Sequence, residues 1–355
     1  MRIVHAPKNP AGLATAVATG QRELGHEVTT VVTRSDFTVG DVDINHQLDD
    51  RAGAAYVRGH VDALRSLPPA DVVNLWYGAT FLHWPRFGAV LPDLRWLARR
   101  QPLVATYVGS DARRALQRGG PMQRAAEESL GSRSDAALRR LDRSQARSIE
   151  KMAAAAGAML AVNPDLLRWL PDELARFVPY AVTLATQNVV PDPPDRRRPF
   201  RVLHAPGNPA MKGSTTIDAV MGNLVERRGG DVEYRRVSRL SHEQFVAELV
   251  DADLFIDQIL IGWYGVSSIE AMRCRTPAVC FIDDDDLGQV PAEMANTLPI
   301  IRADAGSLAS VVETAMAERD GLADLAADAL DWSWRWHDPV VVAQQVLDAY
   351  PRIGS

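Results

Sequence analysis

Arg2-Ile3-Val4-His5-Ala6-Pro7-Lys8-Asn9-Pro10-Ala11 and Arg201-Val202-Leu203-His204-Ala205-Pro206-Gly207-Asn208-Pro209-Ala210 are two copies of one beginning. In each, a short apolar run ends in a turn rich in Pro, Asn and Gly and leads into a helical stretch. That is the strand-turn-helix opening of a doubly wound α/β domain. The copies continue alike: segments 20–32 and 229–237 each place a helix-ending glycine ahead of a further β-rich run. The chain has 355 residues, whereas a domain usually holds about 100 to 200, so each copy is expected to open its own domain.

Outward from the first copy, 28–32 reads as the second strand and 71–76 and 103–108 as later ones, with helices at 52–67 and 94–100 between them. Strands alternating with helices call for a mainly parallel sheet. Segments 158–162 and 176–180 close this half, and Pro191, Pro193, Pro194 and the run Arg196-Arg197-Arg198 mark a linker. In the second half strands are expected at 200–205, 232–237, 254–257, 278–282 and 298–301. Ser241-His242-Glu243-Gln244 has the Ser-x-x-Gln form of a capping box, which starts a helix running to Val250 and makes His242 an exposed first-turn residue. Trp332, Trp334, Trp336 and His337 precede Pro339 and an amphipathic run to Tyr350, expected to form a packing helix.

A net charge of -6 provides no global attraction to nucleic acid or anionic lipid. The opening residues lack the apolar stretch of a signal peptide, and no window is long and apolar enough to span a bilayer, so a cytoplasmic chain is expected. Between Arg113 and Lys151 the basic residues Arg113, Arg114, Arg118, Arg124, Arg133, Arg139, Arg140, Arg143, Arg147 and Lys151 outnumber the acids. Their helical spacing reads as a solvated face, with an acceptor-binding surface or weak peripheral membrane contact as alternatives. Cys274 and Cys280 flank a predicted buried strand and read as core residues rather than a disulfide or metal site. Asp283 to Asp286 read as a solvated loop, no Asp-x-Asp pair stands in a suitable loop, and no metal site is expected.

Ligands of open parallel sheets bind beyond the carboxyl ends of the strands, so chemistry is sought in two loops. In Gly207 to Thr215, small residues let backbone amides approach phosphate oxygens, and Lys212 supplies a positive head, unless it is simply a solvated turn residue. In Gly262 to Met272, amides and the hydroxyls of Ser267 and Ser268 at a helix start suit a diphosphate, and the Glu270 carboxylate suits ribose hydroxyls. Glu270 in a first turn would also stabilise its own helix with no ligand present.

The pattern Leu203-His204-Ala205-Pro206-x-Asn208, then Lys212-Gly213, Ala252 to Gln258, Gly265, Glu270-Ala271-Met272 and Pro277-Ala278-Val279 resembles the retaining GT-B glycosyltransferases of the family-four type. Weaker matches at Pro10-Ala11-Gly12, Gly25 to Val28, Gly109 to Arg113, Leu170-Pro171 and Val178 to Ala181 extend the likeness over nearly the whole chain. The resemblance implies an α/β GT-B architecture, two Rossmann-like domains facing across a cleft. It implies an acceptor domain over 1–180, a linker over 181–200, a nucleotide-sugar domain over 201–335, and a helix over 336–355 packing back on the first domain. The activity implied is transfer of a sugar from a nucleoside diphosphate to an acceptor hydroxyl or amine, with retention and without a metal. No cofactor is expected beyond the co-substrate, a UDP-sugar in preference to a GDP-sugar. A nucleotide-sugar epimerase and a non-catalytic nucleotide-sugar-binding protein are the alternatives.

By the same resemblance Lys212 contacts the donor diphosphate, Glu270 the ribose, and Ser267 and Ser268 the phosphate end, while Gly12 lets the amino-terminal loop approach. Asn208, Gly213, Tyr264, Gly265 and Val266 complete the donor set. Asp111 lies near the reacting sugar or acceptor and joins Lys212 and Glu270 as a catalytic residue. Trp76, Tyr77 and Tyr107 are offered as acceptor-stacking surfaces, with Trp84 beside them, against the alternative that they are core. Two positions depart from the family. Gly262 stands where a sugar-contacting glutamate is usual, and Gly207 and Pro209 stand where an arginine usually partners the lysine, leaving Lys8 or Arg239 to compensate.

Overall fold

The computed structural model describes residues 1–34, 41–48, 52–85, 88–116, 128–129, 131, 134–183 and 198–351. Most of the expected linker, at 184–197, lies outside them, as do Arg118, Arg124 and Arg133 of the basic segment. The chain divides into two compact units. The first comprises Met1–Arg114, Asp135–Thr183 and His337–Ser355, and the second Ala115–Ser134 and Leu184–Trp336.

The first unit is built on seven parallel strands: β1 Arg2–Ala6, β2 Glu27–Val32, β3 Ile44–Asn45, β4 Val72–Trp76, β5 Leu103–Tyr107, β6 Ala158–Ala161 and β7 Ala175–Phe177, in the order β3-β2-β1-β4-β5-β6-β7. Central strands β4 and β5 are buried at every position, as expected of a sheet covered on both faces. Strand β3 escaped the sequence reading because two residues carry no period. Strand β7 is shorter than expected and ends before Pro179, which has no N–H for the ladder.

The second unit has five parallel strands: β8 Phe200–His204, β9 Val232–Arg236, β10 Leu254–Gln258, β11 Ala278–Cys280 and β12 Ile301–Arg302, in the order β12-β11-β10-β8-β9. Strand β12 starts only after Pro299, later than expected, for the same reason as at β7. The helix His242–Asp251 carries both halves of the capping box at Ser241 and Gln244. In both sheets the chain leaves the first strand on one side and returns on the other. This puts a switch point between β1 and β4, and another between β8 and β10, where the strand ends leave room for a ligand.

The repeated histidines are buried in both copies and take different tautomers. Trp76 Nε1 donates to His5 Nδ1 at 2.8 Å, so Nε2 carries the proton toward Gln21 Oε1, also at 2.8 Å. Burial pushes this imidazole down to about 4, and it stays neutral. Gln21 Nε2 donates on to Tyr350 Oη at 3.1 Å, which ties the chain's end to the first strand. His204 instead donates from Nδ1 to the Ile256 carbonyl at 2.8 Å and accepts at Nε2 from Ser214 Oγ, also at 2.8 Å.

The helix Pro339–Asp348 packs on the helix Leu13–Glu23. A Cβ built on Gly20 would lie 2.0 Å from the Pro339 carbonyl oxygen and 2.3 Å from its carbon. Gly20→Ala gains about 1 kcal/mol of helix propensity, but the backbone it meets cannot yield without moving the carboxyl-terminal helix, a cost of about 1–3 kcal/mol or more. The variant is therefore expected to unfold at lower urea and to exchange the amide hydrogens of 339–348 faster than the parent. Unchanged stability and protection would show that this close approach is not needed.

Candidate functional site

At the switch point of the second sheet, β10 pairs with β11 through Phe255, Ile256 and Gln258, and the register shifts past Asp257. A bulge re-aims its side chain, and here it aims a carboxylate into the loops beyond the strand. Asp257 is only 2% exposed. Its oxygens accept from the Gly265 amide at 2.7 Å, Ser268 Oγ at 2.8 Å, Ser267 Oγ at 3.0 Å, and the Lys212 ammonium. Burial alone would raise its pKa. The adjoining ammonium and these hydrogen bonds outweigh burial and hold it below the usual carboxylate range.

Lys212 closes the short helix Pro209–Lys212, whose amino end is capped by the Asn208 side chain. Asn208 also donates to Ser129 Oγ at 2.7 Å. Gly213 follows with φ +76°, and a Cβ there would come within 2.7 Å of Ile259 Cγ1. Both the backbone and the contact therefore require glycine. Gly265 caps the helix Val266–Arg273, and a Cβ on it would lie 3.2 Å from Lys212 Nζ. Of the expected donor residues, Lys212, Gly265, Ser267 and Ser268 are thus brought together, around a carboxylate that was not among them. Tyr264 is a core residue, its ring centroid 4.7 Å from that of Trp263 and 5.9 Å from that of Trp332.

Glu270 is the fifth residue of its helix, beyond the first turn where it was expected. The dipole effect has fallen off at that depth. Its Oε1 lies 2.7 Å from His242 Nε2. His242 is exposed as expected but not idle: the hydrogen bond to Glu270 raises its pKa against a smaller effect of burial. Asp257 had a sequence signal, an acid and an amide ending the apolar run Leu254-Phe255-Ile256. His242 had none, since the capping box fixes its turn but not its partner.

Gly262 has φ +86°, and a Cβ there would meet Asp283 Cβ at 2.9 Å and Asp286 Oδ2 at 3.0 Å. The missing glutamate is therefore excluded by backbone, packing and charge together. The acidic run is solvated only in part, at Asp284 and Asp285. Asp283 caps the helix Asp284–Leu287, and Asp286 is 1% exposed.

In the first unit, Gly12 caps the helix Leu13–Glu23 at φ +75°, and Asn9 Oδ1 already takes the Ala14 and Thr15 amides at 2.9 and 3.2 Å. Asp111 accepts from the Gly109 amide at 2.6 Å and the Val108 amide at 3.1 Å. Burial raises its pKa against those bonds. Trp76 and Tyr107, offered as stacking surfaces, are core: each is 1% exposed. Tyr77 instead lines a cavity, with Trp84 beside it. Arg113 is not on a solvated face either. Its guanidinium is buried against Asp165, at 2.5 and 2.7 Å. Farther along, Arg139, Arg140, Arg143, Arg147 and Lys151 are exposed on the helix Asp135–Ala153. Among the described residues no cluster of His, Cys, Asp and Glu is placed to hold a metal, and no helix is long and apolar enough to cross a membrane. Cys274 and Cys280 are buried free thiols.

No protein-family model matches the chain, and no curated protein does. Solved structures do match over nearly its whole length. A sucrose-phosphate synthase from Thermosynechococcus elongatus is 14% identical with a TM-score of 0.60, covering 98% of this chain and 97% of that one. Anabaena HepE in complex with UDP and glucose is 12% identical with a TM-score of 0.58, covering 98% of each. HepE in complex with UDP-glucose is 13% identical with a TM-score of 0.53, at the same coverage. The fold is GT-B. At such identities the likeness establishes that fold alone, and any activity must come from the site.

Two outcomes follow from the geometry of the second unit. Asp257→Asn strips the charge partner from Lys212 and is expected to cost about 3 kcal/mol of stability, read as a lower urea midpoint. A midpoint within experimental error of the parent would show that the carboxylate is not what holds these loops. The His242 pair adds stability that is complete below about pH 6.5, the usual histidine value, and is lost as pH rises through the raised folded-state value. The stability difference between the parent and His242→Gln should therefore be largest in mild acid and shrink in alkali. A difference independent of pH would refute the pairing.

Proposed function

We propose that the chain is a glycosyltransferase that binds a UDP-sugar at the β8–β10 switch point of its second unit and transfers the sugar, with retention, to an acceptor hydroxyl or amine. The observation that carries this reading is the convergence of Lys212 with the start of the helix Val266–Arg273, held in place by Asp257. HepE, a structural neighbour, binds UDP and UDP-glucose, and the same class of ligand suits a site with one cation, free helix-start positions and a carboxylate one turn further on.

Each site group then has a task. An ammonium has three N–H donors, and Asp257 engages Lys212 through one side of it, so the remaining donors face outward for phosphate. The two serine hydroxyls spend their protons on Asp257. They position the loop, and the amides of Val266 and Ser267 take the phosphate oxygens. As the bond from the anomeric carbon to the diphosphate oxygen breaks, negative charge grows on the leaving group, and Lys212 with these amides stabilises it. The new bond forms from the acceptor oxygen or nitrogen to the anomeric carbon, and the acceptor's proton passes to the departing diphosphate oxygen. Glu270, with one oxygen on His242, accepts ribose hydroxyls with the other. Protein groups neutralise the leaving diphosphate in this scheme, so turnover is expected to survive chelator.

Incubation with a panel of labelled nucleotide-sugars and acceptor extracts distinguishes transfer, an isomerised donor, and binding alone. Glu270→Gln tests the site itself. Losing a charge-assisted hydrogen bond, about 1.5 to 3 kcal/mol, weakens donor binding by roughly tenfold or more. The same substitution should leave the affinity of a 2′,3′-dideoxy donor almost unchanged. Equal losses for both donors would remove Glu270 as the ribose ligand.

A further inference from the structure

His242 and Glu270 come from two helices of the second unit that pack on each other, His242–Asp251 and Val266–Arg273. The loop after β9 delivers His242, as the loop after β8 delivers Lys212 and the end of β10 delivers Asp257. The adjacent strands β10, β8 and β9 thus each supply a polar group at or beyond their carboxyl ends. Neither member of the pair serves its own helix. His242 is the first residue of its helix, where an imidazolium opposes the dipole, and Glu270 is the fifth of its own, too deep to benefit from it. Residues that break a local rule without a local gain mark functional positions.

The carboxylate is also under-satisfied. Glu270 is only 9% exposed, and a carboxylate has about four acceptor sites. Among the described residues its side chain takes one hydrogen bond, from His242 Nε2 to Oε1 at 2.7 Å. Buried polar oxygens ordinarily have partners, so Oε2 is left for a group from outside the fold, and the paired hydroxyls of a ribose fit it.

His242 is the group here that titrates near neutrality. The hydrogen bond to Glu270 raises its pKa, burial opposes the rise, and the Glu270 charge adds to it. Burial and Glu270 push the Cys274 thiol up to about 12, so it stays protonated, and burial lowers His204, which stays neutral. Other charges on the packed elements have partners: Arg235 with Glu248, Arg236 with Asp218, Arg201 with Asp251 and Lys212 with Asp257. Arg273 stacks on Trp334, while Arg239 and Glu243 are exposed. Both phosphates of a UDP-sugar are ionised throughout the neutral range, so the ligand itself does not titrate there. A proton on His242 adds a cation to a site whose Lys212 is shared with Asp257, and a dianionic ligand favours that protonated form. By linkage the ligand binds more tightly where the ring is protonated, and takes up a proton where it is not.

We propose that His242 is a positioning residue for the nucleotide-sugar: it holds Glu270 Oε1 so that Oε2 meets the ribose hydroxyls, and donor affinity rises when its ring is protonated. This rests on the donor reading of the site. Calorimetric titration of the full chain with UDP-glucose, UDP-galactose and UDP-N-acetylglucosamine, between about pH 5.5 and about pH 8.5, tests it. Each titration is run in two buffers of different ionisation enthalpy, so that proton uptake is counted. The parent should bind about three- to tenfold more weakly at the alkaline end, the range that a further rise of the His242 pKa on binding allows, and should take up protons between the two ends. His242→Gln keeps an N–H for Oε1 but carries no titrating charge. Its affinity should lie near the parent's alkaline value, flat with pH and without proton uptake. His242→Ala supplies neither and should bind several-fold more weakly than His242→Gln throughout. A parent whose affinity is flat with pH, a slope that survives in His242→Gln, or His242→Ala binding as tightly as His242→Gln would overturn the proposal and leave the donor reading standing. If no UDP-sugar binds the parent at any pH, the donor reading falls and this inference with it.

Discussion

A carboxylate buried at the end of a central parallel strand costs several kcal/mol unless charged and hydrogen-bonding partners meet it, and the candidate site of the second unit is organised around that requirement at Asp257. The bulge between Ile256 and Gln258 turns the side chain out of the sheet. The loop after β8 answers with Lys212, and the loop after β10 answers with the Gly265 amide and two serines. Glycine at 213 and 265 follows from the same arrangement, because any side chain there would push Ile259 or the Lys212 ammonium out of place. The loops are thus ordered before any ligand arrives, and the cation is held by an internal partner rather than left to search solvent. Preorganisation of this kind is what electrostatic stabilisation of a leaving group requires.

Asp257 holds Lys212 in place, and neither Gly207 nor Pro209 adds a second cation to that loop. At 262 the left-handed backbone and the nearby Asp286 carboxylate leave no room for a glutamate. The first unit solves its own switch point differently. Its buried histidine faces inward, joining Trp76, Gln21 and Tyr350 in one hydrogen-bonded line, while Lys8 and Arg34 line a cavity beyond the strand ends.

What the sequence by itself determined is local or periodic. The duplicated opening, the alternation of apolar strands with helices, the Ser241 capping box and the glycine turns each depend on residues a few positions apart, and those gave the α/β class and most of the elements. Prolines at 179 and 299 trimmed two strands because a missing N–H is felt only where a neighbouring strand would have bonded to it. What tertiary structure alone decided is which distant groups meet. Lys212 finds Asp257 45 positions along, His242 finds Glu270 28 positions along, and Gln21 finds Tyr350 329 positions along. Whether an aromatic stacks on a ligand or fills a core was equally beyond the sequence: Trp76 and Tyr77 are adjacent, yet one is buried in the sheet and the other lines a cavity. Side-chain direction at a strand's end depends on bulges, turns and the path of the sheet, and those are properties of the folded chain rather than of any one segment.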